Sequence, residues 1–203
     1  MEVTSTMIHQ GRQPQIAGNP LLDFTGLPRF DRIQPTDVTP AIDQLLTEAR
    51  GVVSRITASD VAVTWDSVIE PLNEATDRLA RSWGAVSHMN AVVDTPESRE
   101  QYNLNLPKLT EFWTELSQNE ALYGKFKVLA AAPDFAQWSA VRRKVVENEL
   151  RDFRLGGAEL AADKKERFKQ VRERESQVST RFAENVLDAT NAFALYIDDA
   201  SAL

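Results

Sequence analysis

Chemistry at a protein site needs donors and nucleophiles in the right spacing, and this chain has few of either. It carries two histidines, His9 and His88, and no cysteine. A helical zinc-hydrolase site needs two imidazoles one turn apart on one face, with a glutamate between them to activate the metal-bound water. His9 is followed by Gln10 and His88 by Met89, and neither has a partner histidine four residues on. A carboxylate-bridged dimetal bundle would need Glu-x-x-His pairs on facing helices, and there are none. Without cysteine there is no thiolate ligand, disulfide or thiol nucleophile. No Gly-x-Ser-x-Gly elbow or phosphate-cradling glycine loop occurs. The residues therefore predict no catalytic residue, no cofactor-binding residue and no metal ligand on this chain. His88 reads as a structural residue within a helix, hydrogen-bonded to a neighbour.

Charge and aromatic clusters give bland readings too. Arg142-Arg143-Lys144 and the group Lys164, Lys165, Arg167, Lys169, Arg172 and Arg174 are basic, but Asp163, Glu166, Glu173 and Glu175 are interleaved at helical spacing. Opposite charges three or four apart describe a solvated, mutually supporting helix face. Glu175 falls on an apolar seam, so it either takes an arginine from a neighbouring helix or marks a rotation of the seam that leaves it exposed. Trp65, Trp83, Trp113 and Trp138 lie on or beside apolar stripes, where core packing is the default; one or two of them line a groove in the alternative.

The elements that must position these residues are helical. Apolar residues at Val38, Ile42, Leu45, Ala49, Val52 and Ile56 step by three and four along one face, with Asp37 as the expected N-cap and Pro40 in the first turn. Thr64 is placed to cap a second helix through Trp65, Val68, Leu72, Ala75, Leu79, Trp83 and Val86, kinked or broken at Pro71. Thr95-Pro96-Glu97 is a strong helix start, followed by Tyr102, Leu106, Leu109, Trp113 and Leu116 with a second interior proline, Pro107. Asn119 caps a shorter helix through Leu122, Phe126 and Leu129. Asp134 begins a single turn, and Ser139 caps a helix that Gly156-Gly157 ends. The last and longest helix is expected from about Ala162 to about Tyr196, with Phe168, Val171, Glu175, Val178, Phe182, Val186, Ala189 and Phe193 in the same rhythm.

The predicted fold class is thus all-α, a bundle of about six helices with kinks at interior prolines. Residues 19–35, with Pro20, Pro28 and Pro35 among bulky apolar residues, read as an irregular strap laid over it. Residues 1–18 are polar and are expected to form a flexible leader without a secretory signal. No apolar run approaches the roughly 20 residues that cross a bilayer, so no membrane partner is expected and the chain reads as cytoplasmic. A formal net charge of -7 argues against nucleic acid, whose phosphates it would repel.

A string of segments carries a family resemblance. Asn19-Pro-Leu-Leu22, Leu27-Pro-Arg-Phe30, Ile33-Gln-Pro35 and Val38-Thr-Pro-Ala41 begin it. Thr64-Trp-Asp66, Pro71-Leu72, Asp77-Arg-Leu79 and Val86-Ser-His-Met-Asn90 continue it. Arg151-Asp-Phe-Arg-Leu155 and Asn185-Val-Leu-Asp-Ala-Thr190 close it. Residues 19–203 resemble the N-terminal helical lobe of oligopeptidase A-like enzymes, in the thimet oligopeptidase (M3) family of zinc metallopeptidases. The resemblance implies a two-lobed, nearly all-helical peptidase that hydrolyses short peptides in a narrow channel. Its zinc and catalytic glutamate belong to a downstream lobe, so the resemblance transfers no site residue to this chain. It implies a channel wall, inactive alone, with the catalytic lobe and short peptides as partners and self-association as one way to cover an exposed lobe interface. The competing expectation is a stand-alone helical peptide-binding or regulatory module derived from that lobe.

Overall fold

The computed structural model describes residues 18–199; His9 and the leader, Gly18 excepted, lie outside the described residues. Among the described residues there are six α-helices and no strand. They are α1 (Pro35–Thr57), α2 (Glu70–Val92), α3 (Pro96–Ser117), α4 (Glu120–Ala130), α5 (Ala140–Gly156) and α6 (Ala162–Ala192). The all-α bundle expected from the periodicity is the fold observed.

Local chemistry explains most helix boundaries. Thr95 Oγ1 accepts the Ser98 amide at 3.2 Å, and Asn119 Oδ1 accepts that of Leu122 at 2.9 Å. Ser139 Oγ accepts the Arg142 amide at 3.3 Å. Each removes one of the unpaired donors that open a helix. Gly157 closes α5 at φ +94°, a left-handed conformation that costs side-chain-bearing residues.

Three boundaries differ from the prediction. Helix α1 starts at Pro35, whose fixed φ suits the first helical position. Asp37 is therefore not the cap; its carboxylate reaches back to accept the Gln34 amide at 2.8 Å. Pro40 falls in the second turn, where its missing amide leaves the Thr36 carbonyl without its usual partner. Before α2, Thr64 caps a π-helical turn over Trp65–Ile69, with the Glu70 amide bonded five residues back to Trp65. The break expected at Pro71 is taken up in that wider turn. Pro107 sits inside α3, which continues through it unbroken. Helix α6 stops at Ala192, short of Tyr196, and Phe193 is extended.

Two apolar clusters hold the bundle. Val38, Ile42 and Leu45 of α1 pack with Leu79 and Val86 of α2 and Leu109 and Phe112 of α3. Ile56, Leu72, Leu122, Phe126, Val146 and Phe153 form the second, around α4 and α5. Leu116 touches both. The strap closes over the first: Leu21 and Ile33 are buried, Ser82 Oγ donates to the Leu21 carbonyl at 2.6 Å, and Asn19 Nδ2 to that of Asp37 at 2.8 Å. Phe24 lies beneath the Arg78 guanidinium at 4.8 Å. Leu27 does not anchor the strap. Arg81 holds the neighbouring Gly26 carbonyl at 2.9 Å, and the bend there turns Leu27 outward, 87% exposed.

Candidate functional site

Helix α3 is packed on two sides, and its second side borders two clefts with α6. Asn105, Leu109 and Phe112 point into the core, while Leu106, Thr110 and Trp113 face toward α6. The predicted stripe through Tyr102, Leu106, Leu109, Trp113 and Leu116 is thus split between two environments. Its buried part runs through Asn105 and Phe112, which the pattern did not mark.

Helix α6 lies against α3 by its polar face. Arg99 pairs with Asp188, Nη2 to Oδ1 at 2.8 Å and Nη1 to Oδ2 at 3.0 Å, and also holds Asp94 of the α2–α3 loop. Asn103 Nδ2 donates to Glu184 at 2.7 Å. Thr110 and Ser176 bring their hydroxyl oxygens within 3.2 Å. Lys169 Nζ reaches Glu111 at 2.7 Å, and Lys165 pairs with Glu120 at the start of α4. These contacts recur about one or two turns apart along α6, as a single helix face requires. No residue of α6 is buried. The basic stretch therefore pairs across helices as well as along its own face, where Arg172 meets Glu175 at 2.6 Å.

Hydrogen bonding sets the electrostatics of this seam. The Lys169 bond holds the Glu111 carboxyl below its usual range, and Glu111 raises the Lys169 ammonium in return. Lys165 lowers Glu120, and Arg99 lowers Asp188. All favour the charged forms.

Small hydroxyls at the crossing and long side chains around it leave two clefts. One, of about 590 Å³, has Asn103, Glu111, Glu173, Thr180, Arg181 and Glu184 on its walls together with Leu106 and Pro107. The other, of about 550 Å³, carries Trp83, Trp113, Leu155 and Phe168 together with Arg172 and Glu175. Leu106, Thr110 and Ser176 border both. Of the four tryptophans, Trp83 and Trp113 line a groove. Trp83 stacks on Tyr102 at 4.8 Å. Trp65 and Trp138 meet edge to face at 6.1 Å beside the second core, with Arg142 over the Trp65 ring at 4.6 Å.

The remaining predicted residues fall elsewhere. His88 lies in α2 as expected, but it is exposed and meets the Phe30 ring at 5.4 Å; among the described residues its partner is this ring and not a hydrogen-bonding group. Glu175 is exposed and takes Arg172 of its own helix, because the seam has rotated away from the bundle. No three His, Cys, Asp or Glu side chains among the described residues converge as metal ligands. Among the described residues the donors do not fit zinc. Thr110, Ser176 and Thr180 were missed as a contact surface. Short hydroxyl residues one turn apart on a helix are their only signal, and solvent-facing helices share it.

Residues 42–165 match the family described as neurolysin/thimet oligopeptidase, N-terminal domain. The chain is 37% identical to oligopeptidase A of Haemophilus influenzae over 91% of its length, and 37% identical to that of Escherichia coli over the same share. A probable cytosolic oligopeptidase A of Arabidopsis thaliana is 34% identical over 91% of the chain. The chain spans 27% of the length of each bacterial relative, about a quarter. A helical bundle matched along most of its length to one domain model identifies the chain as a member of the neurolysin/thimet oligopeptidase N-terminal domain family.

Proposed function

We propose that this chain is the non-catalytic N-terminal lobe of an oligopeptidase A-like zinc metalloendopeptidase, and that the α3–α6 surface forms one wall of its substrate channel. One observation carries the reading. The chain matches oligopeptidase A along 91% of itself, yet only 27% of the relative, while no metal-ligand cluster forms among its described residues. Zinc, the nucleophilic water and its base then belong to the remaining three-quarters. The peptidase hydrolyses short peptides in the cytoplasm, as the cytosolic plant relative's name suggests for that protein.

The clefts suit the wall of such a channel. Backbone amides and mixed side chains of an unfolded peptide need scattered hydrogen-bonding groups and some apolar surface. Glu111, Thr180 and Glu184 supply the first, and Trp113, Leu155 and Phe168 the second. Binding of this kind orients a peptide without reacting with it. The test is to replace the matched segment of E. coli oligopeptidase A by this chain and introduce Trp113→Ala. A raised KM for a fluorogenic peptide, with kcat retained, supports the wall. An unchanged KM counts against it.

A further inference from the structure

Beyond Phe168, which lines the cleft against α3, the apolar row of α6 is turned away from the bundle. Ser176 and Thr180 face α3, and Val178, two residues from each, stands about 200° round the helix at roughly 100° per residue. Val171, Val178, Phe182 and Val186 are 47, 50, 69 and 49% exposed. Glu175, paired with Arg172, interrupts the row after Val171, and Val178, Phe182 and Val186 form an uninterrupted apolar strip of the kind that marks a contact surface.

The row has a basic border. Arg167, Arg174 and Arg181 recur seven residues apart beside it, a spacing that drifts only about 20° per step. Among the described residues neither Arg174 nor Arg181 has a carboxylate within ion-pair distance; Arg181 stands between the row and the α3–α6 cleft, whose wall it also lines. Glu184 and Asp188 of α6 are engaged on the opposite side, with Asn103 and Arg99, and Glu175, the one carboxylate within the row, is paired by Arg172 of its own helix. In a chain of net charge -7, an unpaired arginine edge along an apolar row is a local reversal that specifies its occupant.

We propose that this face seats an amphipathic helix whose apolar row is bordered by aspartates or glutamates, supplied by the part of the peptidase beyond the stretch this chain spans. The proposal rests on the chain being one lobe of a longer enzyme. Opposite charge at an interface edge sets register and excludes wrong partners. A second copy fits poorly. Antiparallel pairing about Val178 brings Arg174 of one chain beside Arg181 of the other, and like charges so placed repel.

The absence of cysteine makes the face directly readable. V178C, and V141C on α5 as an exposed control (74% exposed), are labelled with a maleimide in the chain alone and in the chain joined to the remainder of E. coli oligopeptidase A. Peptide mapping gives the rate at each position. The V178C thiol is expected to label at least about tenfold more slowly in the joined protein, with V141C unchanged. Adding R174E and R181E restores labelling, and R174K with R181K does not. Equal V178C rates in both proteins overturn the proposal. So does slow labelling of the chain alone that depends on its concentration, which assigns the face to a second copy. A joined protein that cleaves peptide while V178C labels freely removes this inference alone. A folded joined protein without peptidase activity removes the functional reading, and this one with it.

Discussion

Arg99 of α3 grips Asp188 of α6 through two parallel hydrogen bonds, at 2.8 and 3.0 Å, and so fastens the far end of the longest helix to the bundle. The same guanidinium holds Asp94, which raises its affinity for its proton further. Bidentate geometry makes this the most specific contact of the α3–α6 seam. With no apolar residue buried beneath it, α6 depends on such contacts.

Asp188→Asn is therefore expected to loosen α6 locally. Amide hydrogen exchange over 182–192 should accelerate about tenfold or more, while the core around Leu79 and Phe112 keeps its protection. Exposed pairs contribute little to global stability, so the unfolding midpoint should barely move. A large global loss with no local change would contradict the seam as drawn.

Acid should release α6 before it unfolds the core. Glu111, Glu120 and Asp188 have folded-state pKa values below their unfolded ones. Their stabilisation is present above the ordinary carboxylate range and is lost as pH falls through the lowered values. The seam still holds its anions at about pH 4, where free carboxylates half-titrate, and loses them below that as the lowered values are passed. Exchange across α6 followed against pH should show an early transition, which high salt at neutral pH imitates. A single transition shared by α6 and the core is the contrary result.

Glu149 has the opposite sign. Burial, aided by Asp152, pushes its carboxyl up, so the folded chain holds that proton longer. Its contribution is favourable at low pH and is lost as pH rises from its unfolded value through its raised one. Glu149→Gln should raise the melting temperature at pH 7 and make little difference near about pH 4. An equal effect at both pH values would show that charge is not the cause.

Gly156 is required by close approach. A Cβ there would stand 2.4 Å from Ser117 Cβ, where α5 ends against α3. Gly156→Ala should cost about 1–3 kcal/mol by overpacking. Ser117→Gly in the same chain should recover most of the loss, as denaturant melts of the two variants will show. Lack of recovery would place the strain elsewhere.

What the sequence disclosed was local. Thr64, Thr95, Asn119, Ser139 and Gly157 act within a few residues of themselves, so their cap chemistry reads directly. The stripe of α6 was equally legible as a row from Phe168 to Phe193, but a row does not say which side of a helix is covered. The polar face of Ser176, Glu184 and Asp188 is the covered one. That follows from partners on α3 some 60 to 90 residues away in sequence, beyond the reach of periodicity. Asn105, buried and bonded to Thr39 Oγ1 at 2.8 Å, was missed for the same reason. The family, by contrast, was readable, because many short segments kept their order. The clefts carry no compact motif, since they need shape and scattered hydrogen-bonding groups.

The proposed function puts catalysis in the three-quarters of the bacterial relatives that this chain does not match. Its most direct test is the turnover of a fluorogenic short peptide, with added zinc, by the purified chain and by the chain joined to the remainder of E. coli oligopeptidase A. The account predicts no turnover by the chain at any zinc concentration, and chelator-sensitive turnover by the joined protein. Zinc-dependent, chelator-sensitive cleavage by the contaminant-free chain alone would contradict it.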